Sequence, residues 1–507
     1  MATGTAADGT STAPAALGID LGTSSVKAVV TDLAGAVAGQ ASAGYPVTGP
    51  RPGWSETDPL AWLEATAAAV RAAVAEAGVT PAAIGLSGQM HGVVATDATG
   101  APVRAAMLWS DSRAVAYLAG YRDLDAPVRR RLANPLSPGM AGPMLAWLAA
   151  EEPSAYAAMR WALQPKDWLR ARLTGEFHSE PSDASGTLLY DVVADRWDDD
   201  VIAALGLERG AFAPLLPSSA HAAGRLTGEA ARRLGLPAGI PVAAGAADTA
   251  AAALGSGLVE PGTAQLTIGT GAQVVMPLAA LPDPIPARPT THLYRAATDS
   301  GWYRMGAILN GGLTLDWVRR VLGATWQELY EAAATEGRAD DPFFLPHLHG
   351  ERTPYLDPAM RAGWTDLGPH HGRVHMLRAA LEGVAFAVRD ALDHVLTTED
   401  RVAHLRLAGG GTTHPAWRQM LADSLGYGLA AVDVPAASGR GAALLGARAA
   451  GLADEASGLA PRLPEPLVVA EPRPAAGRLS QDRHHAFRQR VLALRATRAD
   501  RPGDHRT

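Results

Sequence analysis

The 507-residue sequence contains no cysteine and, among its 44 basic residues, only two lysines, Lys27 and Lys166. The absence of cysteine excludes disulfides, thiol nucleophiles and thiolate metal sites. No Gly-Lys-Ser/Thr sequence occurs, which excludes the phosphate loop built on that motif. A formal net charge of −7 without a basic cluster argues against nucleic acid as a partner.

Long apolar runs are also missing. The longest weakly charged stretch, residues 236–259, is interrupted by Pro237, Pro241 and Asp248, so we expect no membrane partner and a cytoplasmic protein. Residues 1–15 lack the basic start and apolar centre of a signal peptide, and their small polar composition predicts a disordered leader.

The composition that is present, 48% hydrophobic and 19% charged, is typical of a globular protein. A chain of this length exceeds the usual size of one hydrophobic core, so at least two domains are expected. Strand patterns alternate with helix patterns throughout, which predicts an α/β architecture. We place one domain at 16–246, a second at 247–455, and a C-terminal linker, helix and tail at 456–507.

Several elements are marked by their periodicity and by Asp, Pro and Gly at their ends. The predicted helices are 58–78, 140–152, 164–174, 248 onward, 311–322, 374–395, 409–425 and 481–495. The predicted strands include 83–87, 92–97, 241–245 and 405–408.

Two Gly-Thr turns lie nearly half a chain apart. Gly22-Thr23-Ser24-Ser25 joins two apolar runs within 17–32, and Gly269-Thr270-Gly271 joins two more within 264–276. Their backbone N–H groups and small hydroxyls suit phosphate oxygens. One such turn is ordinarily a plain hairpin connection. The repetition favours two related domains that grip a polyphosphate from both sides.

Two carboxylates and a lysine stand near these features. Asp20 precedes the first turn, where it either holds Mg²⁺ beside phosphates or binds turn N–H groups. Lys27 is either a phosphate contact or a solvated strand lysine. Asp248, between an apolar strand and an alanine-rich helix, is either a helix N-cap or a cleft carboxylate that accepts the proton of an attacking hydroxyl.

The loop containing Gln89, Met90 and His91 offers an amide, a thioether and an imidazole between glycines. Such a set suits a small polyhydroxy ligand, because it combines hydrogen bonds with cover for a carbon face. By itself it would be a loop with an exposed histidine. Neither H-E-x-x-H nor G-x-S-x-G occurs, and we expect His370 and His371 to be solvated rather than bound to metal.

Taken together, these segments resemble the FGGY carbohydrate kinase family, most closely its xylulokinases, over residues 17–451. The order and spacing of ten motifs carry the resemblance: D-L-G-T-S-S-V-K, G-L-S-G-Q-M-H-G, L-W-S-D-S-R, P-K-D-W-L-R, S-D-A-S-G-T, G-A-A-D-T-A, T-I-G-T-G, G-E-R-T-P, L-E-G-V-A-F and G-G-G-T-T-H-P. It implies a two-domain actin/hexokinase-like (ribonuclease H-like) fold with an interdomain cleft, ATP and Mg²⁺ as cofactors, and a sugar substrate. Dimers are common in that family, so a homodimer is an expectation.

The same resemblance implies residue roles. Asp248 would take the proton from the C5 hydroxyl of D-xylulose, and Asp20 would support Mg²⁺ and the phosphoryl group. The implied sugar-binding residues are Gln89, Met90, His91 and Thr249. The implied ATP-binding residues are Thr23, Ser24, Lys27, Gly269, Thr270, Gly312, Asp316, Gly410 and Gly411.

The sequence departs from the family pattern at the predicted base. Thr249 stands where xylulokinases usually carry asparagine, which makes another ketose or a polyol (ribulose, a pentitol or a heptulose) the second hypothesis. The second turn reads Gly-Thr-Gly-Ala instead of the usual Gly-Thr-Ser-Gly, a change that we expect the phosphate turn to tolerate.

Further motif residues have less certain roles. Lys166, Glu351 and Arg352 are interpreted as structural ion pairs or domain contacts. The segment with Trp109, Asp111 and Arg113 either shapes the sugar pocket or is buried for structural reasons.

Two other functional classes stay open. A nucleotide-driven conformational switch of the actin type would need no sugar loop such as 89–91, and its ATP hydrolysis would ignore every sugar. A catalytically inactive sugar sensor would bind sugar without releasing ADP, but both Asp20 and Asp248 are present.

Overall fold

The computed structural model describes residues 14–453, 463 and 465–499. Two seven-stranded sheets with flanking helices form an α/β fold in two halves, which confirms the predicted fold class. The predicted leader lies outside the described residues except for 14–15, as do residues 454–462, residue 464 and the final eight residues. Within the segment predicted as a linker, residues 467–470 form a strand, and the last helix begins at Pro474 rather than at Gln481. Among the described residues, no helix is both long enough and apolar enough to cross a membrane.

The elements up to residue 255 build the first half. In chain order they are β1 (Ala15–Leu21), β2 (Ser25–Asp32), β3 (Val37–Gly44), β4 (Glu56–Thr57), α1 (Pro59–Ala77), β5 (Ala83–Gly88), β6 (Val94–Thr96), β7 (Ala106–Met107), α2 (Ala119–Arg122), α3 (Ala126–Leu132), α4 (Ala141–Glu151), α5 (Pro153–Ala158), β8 (Trp161–Leu163), α6 (Pro165–Thr174), α7 (Pro181–Ala184), β9 (Tyr190–Asp191), β10 (Arg196–Trp197), α8 (Asp199–Ala204), β11 (Ala222–Arg225), α9 (Gly228–Leu234), β12 (Pro241–Ala243), β13 (Ala246–Ala247) and α10 (Asp248–Gly255).

The elements after residue 255 build the second half. They are β14 (Ala264–Ile268), β15 (Ala272–Leu278), β16 (His292–Arg295), β17 (Trp302–Ile308), α11 (Gly312–Val321), α12 (Trp326–Ala334), β18 (Phe343–Leu345), β19 (Gly363–Thr365), α13 (Arg373–Val395), β20 (His404–Ala408), α14 (Pro415–Leu425), β21 (Gly428–Ala431), α15 (Ala437–Ala449), β22 (Leu467–Ala470) and α16 (Pro474–Ala499). Short 3₁₀ helices cover Arg113–Leu118, Arg209–Ala211 and Gly410–Thr412.

Helix α1 shows how local sequence sets an element. The Asp58 carboxylate caps it by accepting a hydrogen bond from the Leu60 N–H at 3.0 Å, Pro59 occupies the first turn, and Gly78 ends it in the left-handed conformation. Its apolar face, with Trp62 fully buried, packs on β2 and β3. The predicted helix at 58–78 is therefore confirmed.

The first sheet has the order β11-β12-β5-β1-β2-β3, with β13 also paired to β5. Strands β1, β5 and β13 run parallel, with Asp20 opposite Ser87 and Ala246 also opposite Ser87. Because parallel strands end at the same edge of a sheet, Asp20 and the residue after β13, Asp248, emerge at one edge.

Residues 89–221, between β5 and β11, form a large insertion with its own apolar core. That core includes Leu145 and Trp197 and extends to Leu293 on β16 and Trp302 on β17. The insertion therefore joins the edge of the second sheet to the first half of the molecule.

The second sheet has the order β16-β17-β15-β14-β20-β21-β22. The second Gly-Thr turn joins β14 to β15, and β14 runs parallel to β20, so residues 269–271 and 409–411 lie at the same edge. The predicted helix at 409–425 is divided in the structure. A 3₁₀ turn covers Gly410–Thr412, and α14 begins only at Pro415, because proline favours the first position of a new helix.

Helices α10 and α15 pack between the two halves. A Cβ on Gly18 of β1 would lie 1.8 Å from the Gly439 carbonyl oxygen, and one on Gly85 of β5 would lie 1.8 Å from that of Ala442. Glycine at both strand positions thus allows α15 to pack directly against the first sheet. The predicted domain boundary at 246/247 stays a prediction, and the second sheet begins at Ala264.

Candidate active site

Two carboxylates stand at the shared edge of the first sheet. Asp20 lies near the end of β1, and its Oδ1 accepts a hydrogen bond from the Ser87 hydroxyl at 3.0 Å. Asp248 is the first residue of α10. Neither carboxylate forms an ion pair within the part of the chain that the structure describes.

The surroundings of these carboxylates favour proton uptake. Burial and, secondly, the negative charge of Asp20 together raise the pKa of Asp248 to about 6, against the opposing effect of the hydrogen bonds from Thr249. Burial also raises the pKa of Asp20, against the Ser87 hydrogen bond and the charge of Lys27. Asp248 therefore has the proton affinity of a base that works near neutral pH.

Thr249 is bound to the neighbouring carboxylate. Its backbone N–H and its hydroxyl donate to Asp248 Oδ1 at 2.5 and 3.1 Å. Asp248 is thus held by the residue that departs from the family pattern.

The first Gly-Thr turn is supported from beneath. Gln89 is buried, and its side-chain amide donates to the Gly22 carbonyl at 3.3 Å, as the Tyr45 hydroxyl also does. The Trp109 indole N–H donates to Thr23 Oγ1 at 2.9 Å. The structure therefore brings Gln89, a predicted sugar contact, to the turn itself.

His91 has a constrained backbone and side chain. Its φ of 75° is unusual for a residue with a side chain, and its Nδ1–H donates to the Gly186 carbonyl at 2.6 Å. Burial lowers the pKa of His91 to about 4, so the ring is neutral at pH 7. With the proton on Nδ1, Nε2 is an acceptor for a hydroxyl. A Cβ on Gly186 would come within 3.0 Å of both His91 and Met90.

The neighbourhood of His91 includes two residues that sequence reasoning missed. His292 and Tyr294 on β16 lie with ring centroids 6.5 and 5.9 Å from that of His91, and the Tyr294 hydroxyl is 2.6 Å from His292 Nδ1. The Tyr303 hydroxyl likewise lies 3.9 Å from the Met90 sulfur. No local motif marks β16 as part of the site. The strand reaches the 89–91 loop only through its pairing in the second sheet.

The less certain motif residues separate into two groups. Arg113 is ion-paired with Asp111 at 2.7 Å and lies over the Trp54 ring, which favours the structural alternative for both charged residues. Lys166 lies in a fully buried ion cluster, as interpreted. For Arg352 the ion-pair alternative is wrong, because it has no carboxylate partner among the described residues. Its position over Trp109 of the first half, 5.3 Å from the ring centroid, agrees with the alternative of a domain contact.

Predicted ATP-binding glycines converge in the second half. The Gly312 N–H donates to the Gly269 carbonyl at 2.8 Å, and the Leu313 N–H donates to the Thr270 carbonyl at 3.0 Å. A Cβ on Gly411 would lie 3.1 Å from the Ile268 carbonyl oxygen, at the end of β14. Gly269, Thr270 and Gly410 are exposed beside this contact, which leaves an open backbone surface suited to phosphates.

Three other predicted ATP-binding residues lie outside this contact between glycines. Asp316, one turn after Gly312 on α11, is ion-paired with Arg319 and Arg320 at 2.7 and 3.0 Å. Ser24 and Lys27 are exposed at the first turn, and Lys27 lies opposite Asp20 in the β1–β2 pairing. The ATP contacts of these residues stay predictions.

A histidine cluster lies elsewhere on the second half. His370, His371 and Asp340 place possible ligand atoms within 4.8 Å of one another. However, His371 Nδ1 accepts a hydrogen bond from the Gly368 N–H at 2.9 Å, so its Nε2 carries the ring proton and has no lone pair for a metal. We assign no metal to this cluster.

Comparison with known families agrees with the geometry. Residues 15–255 match the N-terminal domain of the FGGY family of carbohydrate kinases, and residues 264–450 match its C-terminal domain. The two matches together cover most of the chain.

Individual relatives span nearly the whole sequence. A xylulose kinase of Escherichia coli (strain K12) is 35% identical over 491 residues, 95% of this chain and 100% of the relative. A crystal structure described as a "xyloylose kinase" from Brucella ovis is 36% identical, with a TM-score of 0.88 over 95% of this chain and 100% of that one. A gluconate kinase from Lactobacillus acidophilus, 22% identical, shares the fold with a TM-score of 0.88 over 94% of this chain and 97% of that one. The chain therefore belongs to the FGGY family of carbohydrate kinases and is an ATP-dependent sugar kinase.

Proposed function

We propose that this kinase transfers the γ-phosphoryl group of ATP to the C5 hydroxyl of D-xylulose, giving D-xylulose 5-phosphate and ADP. The observation that carries the proposal is the pair Asp20 and Asp248 at the ends of two parallel strands that flank β5, which itself leads into the 89–91 loop. The names of the relatives at 35 and 36% identity support the choice of sugar.

Asp248 acts as the base in this proposal. Its carboxylate accepts the C5 hydroxyl proton while the sugar oxygen forms a bond to the γ-phosphorus, and the bond from that phosphorus to the ADP oxygen breaks. With a pKa of about 6, Asp248 is mostly ionised at pH 7 yet keeps affinity for the proton. Because Thr249 binds Oδ1, the other carboxylate oxygen is left for the substrate.

Asp20 would hold Mg²⁺ with the phosphates of ATP. The site fits a divalent cation, because it holds two carboxylates whose pKa values are raised by burial and which form no ion pair among the described residues, so both gain from a nearby positive charge. Bound Mg²⁺ would neutralise phosphate charge. Ser87 fixes one oxygen of Asp20, which leaves the other for the ion.

The two turns would hold ATP from both sides. Thr23, Ser24 and Lys27 on the first turn and Gly269 and Thr270 on the second are the proposed phosphate contacts. Gly312, Asp316, Gly410 and Gly411 are the proposed contacts of the rest of the nucleotide. The second turn fits this role, since Gly269, Thr270 and Gly410 are exposed beside its tight backbone packing.

The sugar would lie against His91 and Met90. His91 Nε2 accepts a hydroxyl hydrogen bond, and Met90 covers carbon atoms. Gln89 holds the Gly22 turn through its amide nitrogen, and its buried side-chain oxygen, which has no partner among the described residues, stays a proposed sugar contact.

Thr249 supports a second candidate, another ketose or a polyol. Its hydroxyl donates to Asp248, so it can offer a sugar hydroxyl only an acceptor, whereas an asparagine amide offers both a donor and an acceptor. The fold leaves this choice open, because a gluconate kinase shares it.

The test is ADP release from MgATP with D-xylulose, L-xylulose, D-ribulose, L-ribulose, xylitol, D-arabinitol and no sugar. We expect D-xylulose to give the highest kcat/KM. Higher turnover of another compound refutes the substrate assignment and leaves the kinase assignment intact. We further propose that the protein acts in the cytoplasm, where ATP is available, and as a homodimer, which light scattering would test.

A further inference from the structure

Arg352 is a half-buried cation without a counter-ion. Its guanidinium forms no hydrogen bond and no ion pair with any residue that the structure describes, and it lies over the Trp109 ring, 5.3 Å from the centroid. Burial lowers the pKa of Arg352, although not enough to discharge an arginine. A charge withdrawn from water in this way costs free energy until an anion joins it.

The backbone of Arg352 is anchored on the nucleotide side of the site. The adjacent carboxylate of Glu351 accepts hydrogen bonds from the Leu309 N–H at 2.8 Å and from the Arg352 N–H at 2.9 Å, and it also accepts one from the Asn310 amide at 2.9 Å. Leu309 and Asn310 immediately precede the start of α11, where Gly312 meets the second Gly-Thr turn.

The side chain extends from that anchor to the first half of the molecule. The Trp109 ring beneath the guanidinium donates its N–H to Thr23 of the first phosphate turn. The positive charge of Arg352 also lowers the pKa of both His91 and His292, which places it within electrostatic range of the proposed sugar site. Arg352 thus lies between the proposed positions of the two substrates.

Only one partner of the proposed reaction supplies an anion at that position. D-xylulose is neutral, whereas the phosphoryl group is negatively charged in ATP, in transit and in the product. We propose that Arg352 is a catalytic residue that donates hydrogen bonds to the phosphoryl group as it passes from ATP to the sugar, and to the phosphate of the product.

The step balances without any change at the guanidinium. The bond from the sugar oxygen to phosphorus forms, the bond to the ADP oxygen breaks, and Asp248 takes the hydroxyl proton. Arg352 keeps its protons and stabilises the charge on the equatorial oxygens.

This inference rests on the proposed function, so the test separates the two. Wild-type turnover of D-xylulose tests the function. Arg352→Met and Arg352→Lys test the inference, with Arg361→Met, an exposed arginine on the same segment, as the matched control. If another sugar proves to be the substrate, the variants are compared on that sugar and on its phosphorylated product.

We expect Arg352→Met to lower kcat by about 10²–10³-fold, as loss of one preorganised donor does. Its Kd for D-xylulose, measured by calorimetry without nucleotide, stays at the wild-type value. Its Kd for D-xylulose 5-phosphate rises about tenfold or more, since a charge-assisted hydrogen bond is lost. Arg352→Lys keeps the charge and recovers part of kcat, and Arg361→Met behaves as wild type.

Three results would overturn the inference. One is an unchanged kcat in Arg352→Met. Another is a weakened Kd for D-xylulose with an unchanged Kd for its phosphate, which would make Arg352 a sugar ligand. The third is an equal loss of kcat in the Lys and Met variants together with a lower thermal midpoint, which would make it a contact between the halves. If the Met variant does not fold, Arg352→Lys decides, because an unchanged kcat and product Kd in that variant also contradict bidentate phosphate binding.

Discussion

Two groups of charges lie close together in this kinase and differ in their burial and in their pairing. In the first, Lys166 lies 2.6 Å from Asp167, 3.4 Å from Glu180 and 3.7 Å from Asp183, and Arg170 lies 2.7 Å from Asp167, with every side chain fully buried. In the second, Asp20, Asp248 and Arg352 have no ion-pair partner among the described residues. The first group is called the paired cluster below, and the second the cleft charges.

The paired cluster supports the strand that carries the base. Ser182 donates to Glu180 at 2.8 Å and accepts from the Ala247 N–H at 3.0 Å, next to Asp248. Burial, reinforced by neighbouring carboxylates, raises the pKa of Asp183 well above its usual value. Asp183 therefore favours the protonated form, which reduces the negative charge that Lys166 and Arg170 face.

The difference in pairing distinguishes charges that stabilise the fold from charges that take part in binding or catalysis. A paired buried charge is satisfied within the fold, and its loss leaves a partner uncompensated. An unpaired charge in a cleft is satisfied only when a substrate, a metal ion or a proton arrives. The comparison therefore predicts stability effects in the paired cluster and activity effects in the cleft.

The largest effect is expected at Asp248. Asp248→Asn should lower kcat by about 10²–10⁴-fold, because the base is lost. The thermal midpoint of the variant should equal or exceed that of the wild type. The pKa of Asp248 is about 6 in the folded state and 3.8 ordinarily, so the ionised carboxylate disfavours folding at pH 7. Coupled ADP release and calorimetry measure both quantities. Turnover like that of the wild type would remove Asp248 from the chemistry.

The opposite result is expected at Lys166. Lys166→Met should lower the free energy of unfolding by about 3–5 kcal/mol, because buried carboxylates lose their partner. The matched control is Arg233→Ala, which removes an exposed pair with Glu64 and should cost less than about 1 kcal/mol. Urea unfolding compares the two. Similar losses in both variants would break the distinction between the paired cluster and ordinary ion pairs.

A smaller effect is expected at His91, a neutral member of the cleft. His91→Ala should raise the Kd for D-xylulose by about 10–200-fold, the range for one lost pocket contact. The exposed His370 supplies the control, His370→Ala, which should bind as the wild type does. Calorimetry with sugar alone makes the comparison, and an unchanged Kd would place the sugar elsewhere.

The smallest effect concerns the pH profile. The kcat/KM for the sugar at saturating MgATP should fall as the pH drops through the pKa of Asp248, because protonation removes the base. Thr249→Val deletes the hydroxyl that stabilises the carboxylate, so the acid limb should move upward by about half to one pH unit. A limb that stays in place or moves downward would show that Thr249 does not tune the base.

The features that could be predicted from the sequence are those that a few consecutive residues determine. The cap and stop of α1, the two Gly-Thr turns and the carboxylates beside strands are all set by neighbours in the chain, and the structure has α1 and both turns where they were predicted. His292 and Tyr294 escaped prediction because they stand on a strand about 200 residues from His91.

The sequence by itself determined that this chain carries two Gly-Thr turns, two carboxylates at strand ends and the motifs of a carbohydrate kinase family, because each of these depends on a few consecutive residues. Which charges are paired was decided only by tertiary structure. Lys166 and Arg352 both stand in family motifs, yet the fold buries one among carboxylates and leaves the other without a partner. The physical reason is that pairing depends on distances between elements far apart in the chain, which sheet topology and helix packing set.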